Sequence, residues 1–387
     1  MSFDKNGSNE RQVIEEIIER CINDESISFE EVYLLLTTQD KESKSYIQKG
    51  ALRKKIHFWS REITYSPNIF LPISKWCRNN CAYCAFRDLN SPPFMEKAII
   101  EKALDLAQKL EIREVLLTLG EKPEIVNTQA KTWLHEHNYS STVDYLIDIC
   151  ELSLQRGLTP HTNAGILSKQ ELRALKPVNG SIGLMLETTA DLSNSKQAHE
   201  FSPYKQPSVR LQMLKNAGEL KIPFTTGLLI GIGEEDRDII ESLQAIKQLY
   251  HQYQHIQEVI IQNFVPHPQT PFQNRLPPSF DFYLQVIAIA RLVLPGTISL
   301  QVPPNLNRGK EASLLAYGIN DWGGISAITP DYVNPEPETS WPEIEELTRI
   351  TQEGGFTLKK RWCVYPQYQS TSWIDERVLS ILKRREN

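Results

Sequence analysis

The chain lacks a long apolar run and lacks any block of like charge. Its best apolar stretch, residues 286–294, is interrupted by Arg291, and charged residues fill the first 20 positions, where a signal peptide needs an apolar run. Its 42 basic and 48 acidic residues give a formal net charge of -6 over 387 positions. This balance argues against nucleic acid or an anionic membrane as the main partner. We therefore predict a cytoplasmic protein whose ligands are small molecules.

Cysteine is also scarce, with six residues in the whole chain, yet three of them fall within eight positions of the string "WCRNNCAYCAF". These three are Cys77, Cys81 and Cys84, spaced C-x-x-x-C-x-x-C. In a reducing compartment a tight group of this kind indicates metal or redox chemistry rather than disulfides. The others lie among apolar residues, where free cysteine is commonly a small buried hydrophobe. They are Cys21, Cys150 and Cys363.

Beyond a helical preface, short apolar runs rich in β-branched residues alternate with helical stretches. The runs are "IFLPIS", "EVLLTLG", "GLTPHT", "SIGLMLE", "IPFTTGLLIG", "EVIIQNF" and "TISLQV", and "WGGISAI" is the weakest and last. Alternating strands and helices predict parallel pairing, and eight repeats close a (β/α)8 TIM-type barrel. We therefore predict an α/β fold with an N-terminal helical extension (1–60), the barrel (61–330) and a short α+β C-terminal segment packed on it (331–387).

The predicted barrel gives the cysteine loop a place. The loop follows the first strand, and active sites of such barrels lie where the strands end. Two metals remain possible. A structural zinc ion needs four protein ligands, and no fourth cysteine or histidine stands near the loop in the sequence. A 4Fe-4S cluster held by three cysteines keeps one iron open for a substrate or cofactor.

With aromatic Tyr83 just before its last cysteine, the C-x-x-x-C-x-x-C loop resembles the signature of the radical S-adenosylmethionine superfamily. The resemblance implies a 4Fe-4S cluster on Cys77, Cys81 and Cys84, whose open iron binds S-adenosylmethionine. It also implies that one electron splits this cofactor into methionine and a 5'-deoxyadenosyl radical, which abstracts hydrogen from a substrate. A closed barrel suits this chemistry because it keeps a carbon radical away from water.

Other stretches match further elements of the superfamily. "LGE" resembles its G-G-E element, with Leu119 replacing the first glycine, and "GLLIGIGE" resembles G-x-I-x-G-x-x-E, the element beside adenine. An acid and a following arginine resemble the pair that holds the ribose and the methionine carboxylate. The implied cofactor-binding residues, with Tyr83, are Gly120, Glu121, Glu187, Arg210, Gly227, Gly231 and Glu234. Taken alone, each has a plain alternative: glycines after strands form turns, and most charged side chains are solvated.

A closer resemblance extends from about residue 63 to 368. The strings "TPHTNAG", "GLMLETTA", "KIPFTTGLLIGIGEE", "VPPNLN" and "GINDWGGISAITPDYVNPE" occur in order and resemble the 7,8-didemethyl-8-hydroxy-5-deazariboflavin synthases, in their ring-closing subunit. This resemblance implies oxidation and ring closure of a hydroxybenzyl adduct of ribitylaminouracil with release of ammonia, formally an ammonia-lyase. One cysteine motif implies one activity, so a hydroxybenzyl-transferring synthase would be the partner, with flavodoxin or ferredoxin as electron donor. The alternatives are that partner or another radical enzyme, such as a menaquinone cyclase or a relative of biotin synthase, and a non-catalytic zinc-binding barrel.

Polar side chains at predicted strand ends are candidates for holding the substrate, because amides and imidazole both donate and accept hydrogen bonds. An imidazole with a pKa near neutrality is also a candidate proton shuttle, although a lone histidine is more often structural. Asp321 and Trp322 are expected near the barrel mouth. The candidate substrate residues are His161, Asn163, Gln262, Asn263, Gln301, Asn305 and Asn307.

Overall fold

A helical preface opens the chain in the computed structural model, which describes residues 7–110 and 112–384. It consists of α1 (Gly7–Ile22), α2 (Phe29–Thr37) and α3 (Lys41–Trp59). A capping box begins α2: Ser28 Oγ accepts from the Glu31 amide at 3.2 Å, and the Ser28 amide donates to Glu31 Oε2 at 2.7 Å. These two bonds give partners to backbone amides at the start of the helix that have none within it.

Eight parallel strands form a closed barrel, which confirms the predicted (β/α)8 fold and the weak eighth strand. They are β1 (Glu62–Ser74), β2 (Glu114–Leu119), β3 (Thr159–Asn163), β4 (Ser181–Gly183), β5 (Phe224–Ile230), β6 (Ile256–Asn263), β7 (Ser299–Gln301) and β8 (Asp321–Ile325). Neighbours in sequence are neighbours in the sheet, and β1 closes the circle by pairing with both β2 and β8.

Helices connect consecutive strands and form the outer layer. They are α4 (Lys97–Lys109), α5 (Pro123–Val126), α6 (Thr128–Glu136), α7 (Thr142–Gln155), α8 (Lys169–Leu175), α9 (Pro207–Glu219), α10 (Asp236–Tyr253), α11 (Phe280–Val293) and α12 (Glu311–Leu314). Single 3-10 turns cover Lys176–Val178, Pro203–Lys205, Asn305–Asn307, Leu315–Tyr317, Pro337–Thr339 and Pro366–Tyr368. After the barrel come α13 (Ile344–Glu353), β9 (Thr357–Lys360) and α14 (Glu376–Arg384). None of the described helices has the length and apolar character that a bilayer crossing requires.

The apolar core lies between the strands and the helices. One buried cluster joins β1 to β4 with α4 and α7, and a second joins the later strands with α10 and α11. The preface belongs to the second cluster, where Ile14, Leu35 and Ala51 are fully buried. Burial of each such side chain stabilises the fold by roughly 1 to 3 kcal/mol, so the preface is an integral part of the packed structure.

The C-terminal segment closes the end of the barrel opposite the cysteine loop. β9 pairs in parallel with the first residues of β1, and the chain then carries Arg361 against Asp321 and Glu258. Asp321 is the first residue of β8 and is fully buried. The expectation that Asp321 and Trp322 lie near the mouth is therefore wrong: they are the first two residues of β8 and lie at its amino-terminal end, where Asp321 pairs with Arg361.

Candidate active site

The cysteine loop lies where β1 ends and opens onto a cavity inside the barrel. Cys77, Cys81 and Cys84 all line this cavity, whose volume is about 380 Å3. The same cavity extends along the barrel interior as far as Glu114 and Arg361. It therefore has a sulfur-lined end at the strand termini and a charged end at the strand starts. Cys21, Cys150 and Cys363 are buried in agreement with the sequence prediction, and Cys363 also lines the charged end.

Hydrogen bonds converge on two of the loop sulfurs. The amides of Glu121 and Asn79 donate to Cys77 Sγ at 3.1 and 3.4 Å, and the Ser202 hydroxyl donates to Cys81 Sγ at 3.2 Å. Donors of this kind stabilise metal-bound thiolates and raise the reduction potential of iron-sulfur clusters. Burial raises the pKa of the Cys84 thiol to about 11, so that metal binding at this loop must release protons.

The three thiols fit a cluster better than a single ion. Among residues 7–110 and 112–384, no three His, Cys, Asp or Glu side chains are placed to hold one metal ion together. A cluster differs in that each thiolate ligates a different iron atom, so its sulfurs stand further apart. The hydrogen bonds around the sulfurs and their position on the cavity wall agree with this fit.

Gly120 allows the cysteine loop to lie against the end of β2. A Cβ atom at this position would stand 2.0 Å from the Trp76 carbonyl oxygen and 2.8 Å from Cys77 Cβ. Only glycine accommodates that approach of two backbone segments. The following residue, Glu121, is 3% exposed and forms a 2.6 Å ion pair with Arg78. The alternative of a solvated loop acid is therefore wrong for Glu121.

Glu187 is the centre of a second charged group on the cavity wall. Its carboxylate accepts from Tyr83 Oη and Lys205 Nζ, lies 3.3 Å from His199 Nε2 and lies 3.6 Å from an Arg210 nitrogen. Burial alone would raise the pKa of Glu187, but the cations lower it well below its usual range. Glu187 is thus a fixed anion. Arg210 is 3% exposed, so the alternative of a helix-surface arginine is wrong.

The structure brings two residues to this group that the sequence did not suggest. Lys205 and His199 come from the irregular segment between β4 and α9, where no periodic pattern fixes their orientation. The string "FSPYK", which ends at Lys205, has a proline but no feature that predicts a half-buried lysine on the cavity wall. Only the folding of this segment over the cysteine loop, with the Asn80 amide donating to the Phe201 carbonyl at 3.0 Å, places them there.

The residues of "GLLIGIGE" shape the end of β5 and do not line the cavity. A Cβ at Gly227 would stand 2.2 Å from the Ile260 carbonyl oxygen, and Gly231 has a φ of +103°. Glu234 accepts from the amides of Gly231, Ile232 and Gly233 at 2.6 to 3.0 Å. These contacts account for the residue types as a built turn, and an adenine contact by this element stays a prediction.

Most of the candidate substrate residues face the cavity. Its lining includes His161, Asn163, Gln262, Gln301 and Asn305. Asn263 and Asn307 lie outside that lining and bond to each other at 3.1 Å.

The imidazole of His161 is held in place between two neighbouring side chains. It lies 2.6 Å from Ser181 Oγ and 3.3 Å from Asn163 Oδ1. Burial lowers the pKa of His161 to about 4, so the ring is neutral at pH 7. A neutral ring can position a substrate by hydrogen bonding and is a weak proton acceptor.

Comparison with known proteins first defines the class. The Radical SAM superfamily model matches residues 71–246, which run from the last residues of strand β1 through the cysteine loop to helix α10. Two solved structures share the fold. HydG, a maturase of the FeFe-hydrogenase, has a TM-score of 0.74 and 19% identity, and the match covers 98% of this chain and 84% of HydG. Methylornithine synthase (PylB) has a TM-score of 0.70 and 16% identity, and the match covers 89% of this chain and 97% of PylB. Residues 71–246 thus carry a Radical SAM domain, and this superfamily implies a 4Fe-4S cluster and S-adenosylmethionine.

Relatives at higher identity define the family. A 7,8-didemethyl-8-hydroxy-5-deazariboflavin synthase from Methanopyrus kandleri is 43% identical over 328 residues, which cover 83% of this chain and 97% of the relative. One from Methanocaldococcus jannaschii is 48% identical over 317 residues, covering 82% and 87%. The chain belongs to the 7,8-didemethyl-8-hydroxy-5-deazariboflavin synthase family and is an enzyme of deazaflavin synthesis.

Proposed function

We propose that this chain catalyses the ring-closing step of deazaflavin synthesis. The substrate is 5-amino-5-(4-hydroxybenzyl)-6-(D-ribitylimino)-5,6-dihydrouracil, and the product is 7,8-didemethyl-8-hydroxy-5-deazariboflavin. The observation that carries the proposal is the identity of 43% with a synthase of this name over 97% of that relative's length. The presence of a single C-x-x-x-C-x-x-C loop supports one radical activity for the chain.

The overall change removes two hydrogens and one ammonia from the adduct, which makes it formally an ammonia-lyase reaction. When bound, the cluster and S-adenosylmethionine supply one-electron cleavage to a 5'-deoxyadenosyl radical. One hydrogen atom of the adduct would pass to 5'-deoxyadenosine, and the other would leave as a proton and one electron, which replaces the electron used to cleave S-adenosylmethionine. The priming electron is returned, and a flavodoxin or ferredoxin is the proposed donor. The adduct itself comes from a hydroxybenzyl-transferring partner synthase.

The residues of the chain have distinct proposed tasks. Cys77, Cys81 and Cys84, which all line the cavity, would hold the 4Fe-4S cluster. Glu187 and Arg210, with Tyr83, hold the cofactor beside it. A carboxylate fixed as an anion among cations can accept hydrogen bonds from ribose hydroxyls or an ammonium group.

The cavity wall holds the adduct and excludes water. Asn163, Gln262 and Gln301 offer amides to the uracil edge, and the neutral ring of His161 offers one donor or acceptor. Asn305 is fixed from the other side, since its Nδ2 donates to Asp331 Oδ2 at 2.7 Å. These groups are neutral, which suits a neutral substrate.

Anaerobic cluster reconstitution followed by product analysis tests the proposal. We expect about four irons per chain and 5'-deoxyadenosine formed only with the hydroxybenzyl adduct. Formation with tyrosine plus ribitylaminouracil instead would assign the chain to the partner activity. Cys77→Ala, Cys81→Ala and Cys84→Ala should each abolish cleavage of S-adenosylmethionine, whereas the matched Cys150→Ala should cost stability at most. Normal turnover by Cys81→Ala would contradict the ligand assignment.

A further inference from the structure

A second polar site lies at the inner end of the barrel cavity, away from the cysteine loop. Asn68 of β1 and Glu114 of β2 both line it, and they are 0% and 5% exposed. They are register partners, because Asn68 pairs with Glu114 across the two strands. Neighbouring positions on adjacent strands bring their side chains to the same region of the barrel interior.

Among the described residues, the amide of Asn68 interacts with one polar side chain, the Glu114 carboxylate, whose pKa it lowers against the larger upward effect of burial. Neither Nδ2 nor Oδ1 makes a hydrogen bond of ordinary geometry, although buried polar groups in folded proteins are almost always paired. Leaving such a group unpaired destabilises a protein, so its retention indicates a partner that arrives with a ligand. The amide faces the cavity, where a ligand can reach it.

Two adjacent glycines of β8 make room for the side-chain amides of Asn68 and Gln301. A Cβ at Gly324 would stand 2.2 Å from Asn68 Nδ2, and a Cβ at Gly323 would stand 2.0 Å from Gln301 Nε2. Any side chain at these two positions would displace the amides. The wall of β8 is therefore shaped to let polar side chains stand in the barrel interior.

Glu114 adds an acceptor at the same place. The nearby Arg361 is engaged by Asp321 Oδ1 at 2.8 Å and Glu258 Oε1 at 2.7 Å. Glu114 accepts from the Ser66 hydroxyl at 2.5 Å through Oε2. A carboxylate has about four lone-pair sites, so this contact leaves acceptor positions directed at a cavity ligand.

The site is remote from the cysteine end. Glu114 precedes Gly120, which touches the cysteine loop, by six residues of β2 and its continuation. At about 3.3 Å per residue this is roughly 20 Å along the strand. A part of the substrate bound here takes no direct part in hydrogen abstraction at the sulfur-lined end.

We propose that Asn68 and Glu114 bind the ribityl chain of the substrate, so that the adduct stands in the barrel with its polyol at the charged end. The inference rests on the proposed function. Each hydroxyl of a polyol donates one hydrogen bond and accepts others, which matches a carboxylate acceptor beside an amide that does both. The phenol of the adduct offers a single hydroxyl, and the uracil edge carries one imide N–H between two carbonyls, which a carboxylate repels. The ribityl chain is the part without a role in ring closure.

Binding of two probes to the reconstituted enzyme tests this assignment by calorimetry. One is the product 7,8-didemethyl-8-hydroxy-5-deazariboflavin, and the other is the same deazaflavin with a methyl group in place of ribityl. The wild type should prefer the ribityl probe by about 30-fold or more, from several hydrogen bonds. Asn68→Ala and Glu114→Gln should each reduce this preference about tenfold while binding the methyl probe unchanged.

Asn179→Ala is the matched control, because Asn179 is a buried, fully bonded asparagine outside the cavity. It should lower the melting temperature and leave the preference intact. Asn68→Ala should lower the melting temperature of the ligand-free protein less than Asn179→Ala does, because the Asn68 amide makes no hydrogen bond of ordinary geometry. A fall as large as that of Asn179→Ala would mark Asn68 as a merely structural amide.

Equal affinity of the wild type for both probes would overturn the inference, as would an Asn68→Ala variant that weakens both probes alike. Failure of both probes to bind would overturn it too. In each case the proposed function is judged separately, by whether the adduct elicits 5'-deoxyadenosine.

Discussion

Gly120 offers a direct test of how the barrel holds the cysteine loop. In Gly120→Ala the new Cβ would stand 2.0 Å from the Trp76 carbonyl oxygen, whereas ordinary contacts begin at 3.4 Å. The shortfall is 3.4 - 2.0 = 1.4 Å, and the obstructing atom is backbone joined directly to Cys77. The loop must therefore move by about 1 Å, and overpacking of this kind costs roughly 1 to 3 kcal/mol.

The expected result is a folded barrel with a damaged site. Gly120→Ala should melt only a few degrees lower, retain little iron after reconstitution and cleave S-adenosylmethionine about 100-fold more slowly, as misplacement by about 1 Å does elsewhere. Gly309→Ala is the control, since it has a φ of +77° and nothing within 4 Å of the added Cβ. It should cost about 1 kcal/mol of backbone strain and keep its iron. Wild-type iron content and cleavage rate in Gly120→Ala would refute the reasoning.

Three further predictions concern the site and the pH dependence of stability. Ser202→Ala removes the hydroxyl that donates to Cys81 Sγ. If this hydrogen bond favours the reduced over the oxidised cluster by about 1 kcal/mol, the midpoint potential of the cluster should fall by about 40 mV. An unchanged midpoint potential in an EPR-monitored redox titration would contradict this. Glu187→Gln should weaken S-adenosylmethionine binding roughly tenfold to 100-fold in equilibrium dialysis with iron content unchanged; equal affinity would remove this residue from the site. Burial lowers the pKa of His161 and of His255 to about 4, whereas an unfolded histidine has a pKa of about 6.5. Between these two values the unfolded state binds more protons than the folded state, so lowering the pH from 7 to 5 should reduce the free energy of unfolding by ~2 kcal/mol for each histidine. In urea unfolding His161→Gln should flatten that dependence, and curves parallel to wild type would disprove it.

Local patterns in the sequence were sufficient for the barrel. Runs such as "EVLLTLG" and "GLLIG" are short, apolar and end at glycine, whereas charged and polar residues recur through longer stretches such as "DRDIIESLQAIKQLYHQY". Strand lengths were less predictable, since β4 covers only Ser181–Gly183 although the apolar run continues to Leu186. Regular pairing is lost over residues 184–186 and resumes as a single bridge between Glu187, which has a φ of +69°, and Leu228. No local pattern predicts that interruption.

The sequence by itself determined the class of the protein, because its chemistry depends on three thiols at short spacing and its fold depends on a repeating apolar rhythm. Spacing and rhythm are properties of neighbouring residues and can be read along the chain. Tertiary structure alone decided which side chains share the cavity. Asn68 and Glu114 meet through strand register, and Lys205 meets Glu187 through an irregular segment. Such encounters depend on the path of the backbone between distant positions, which no local pattern encodes.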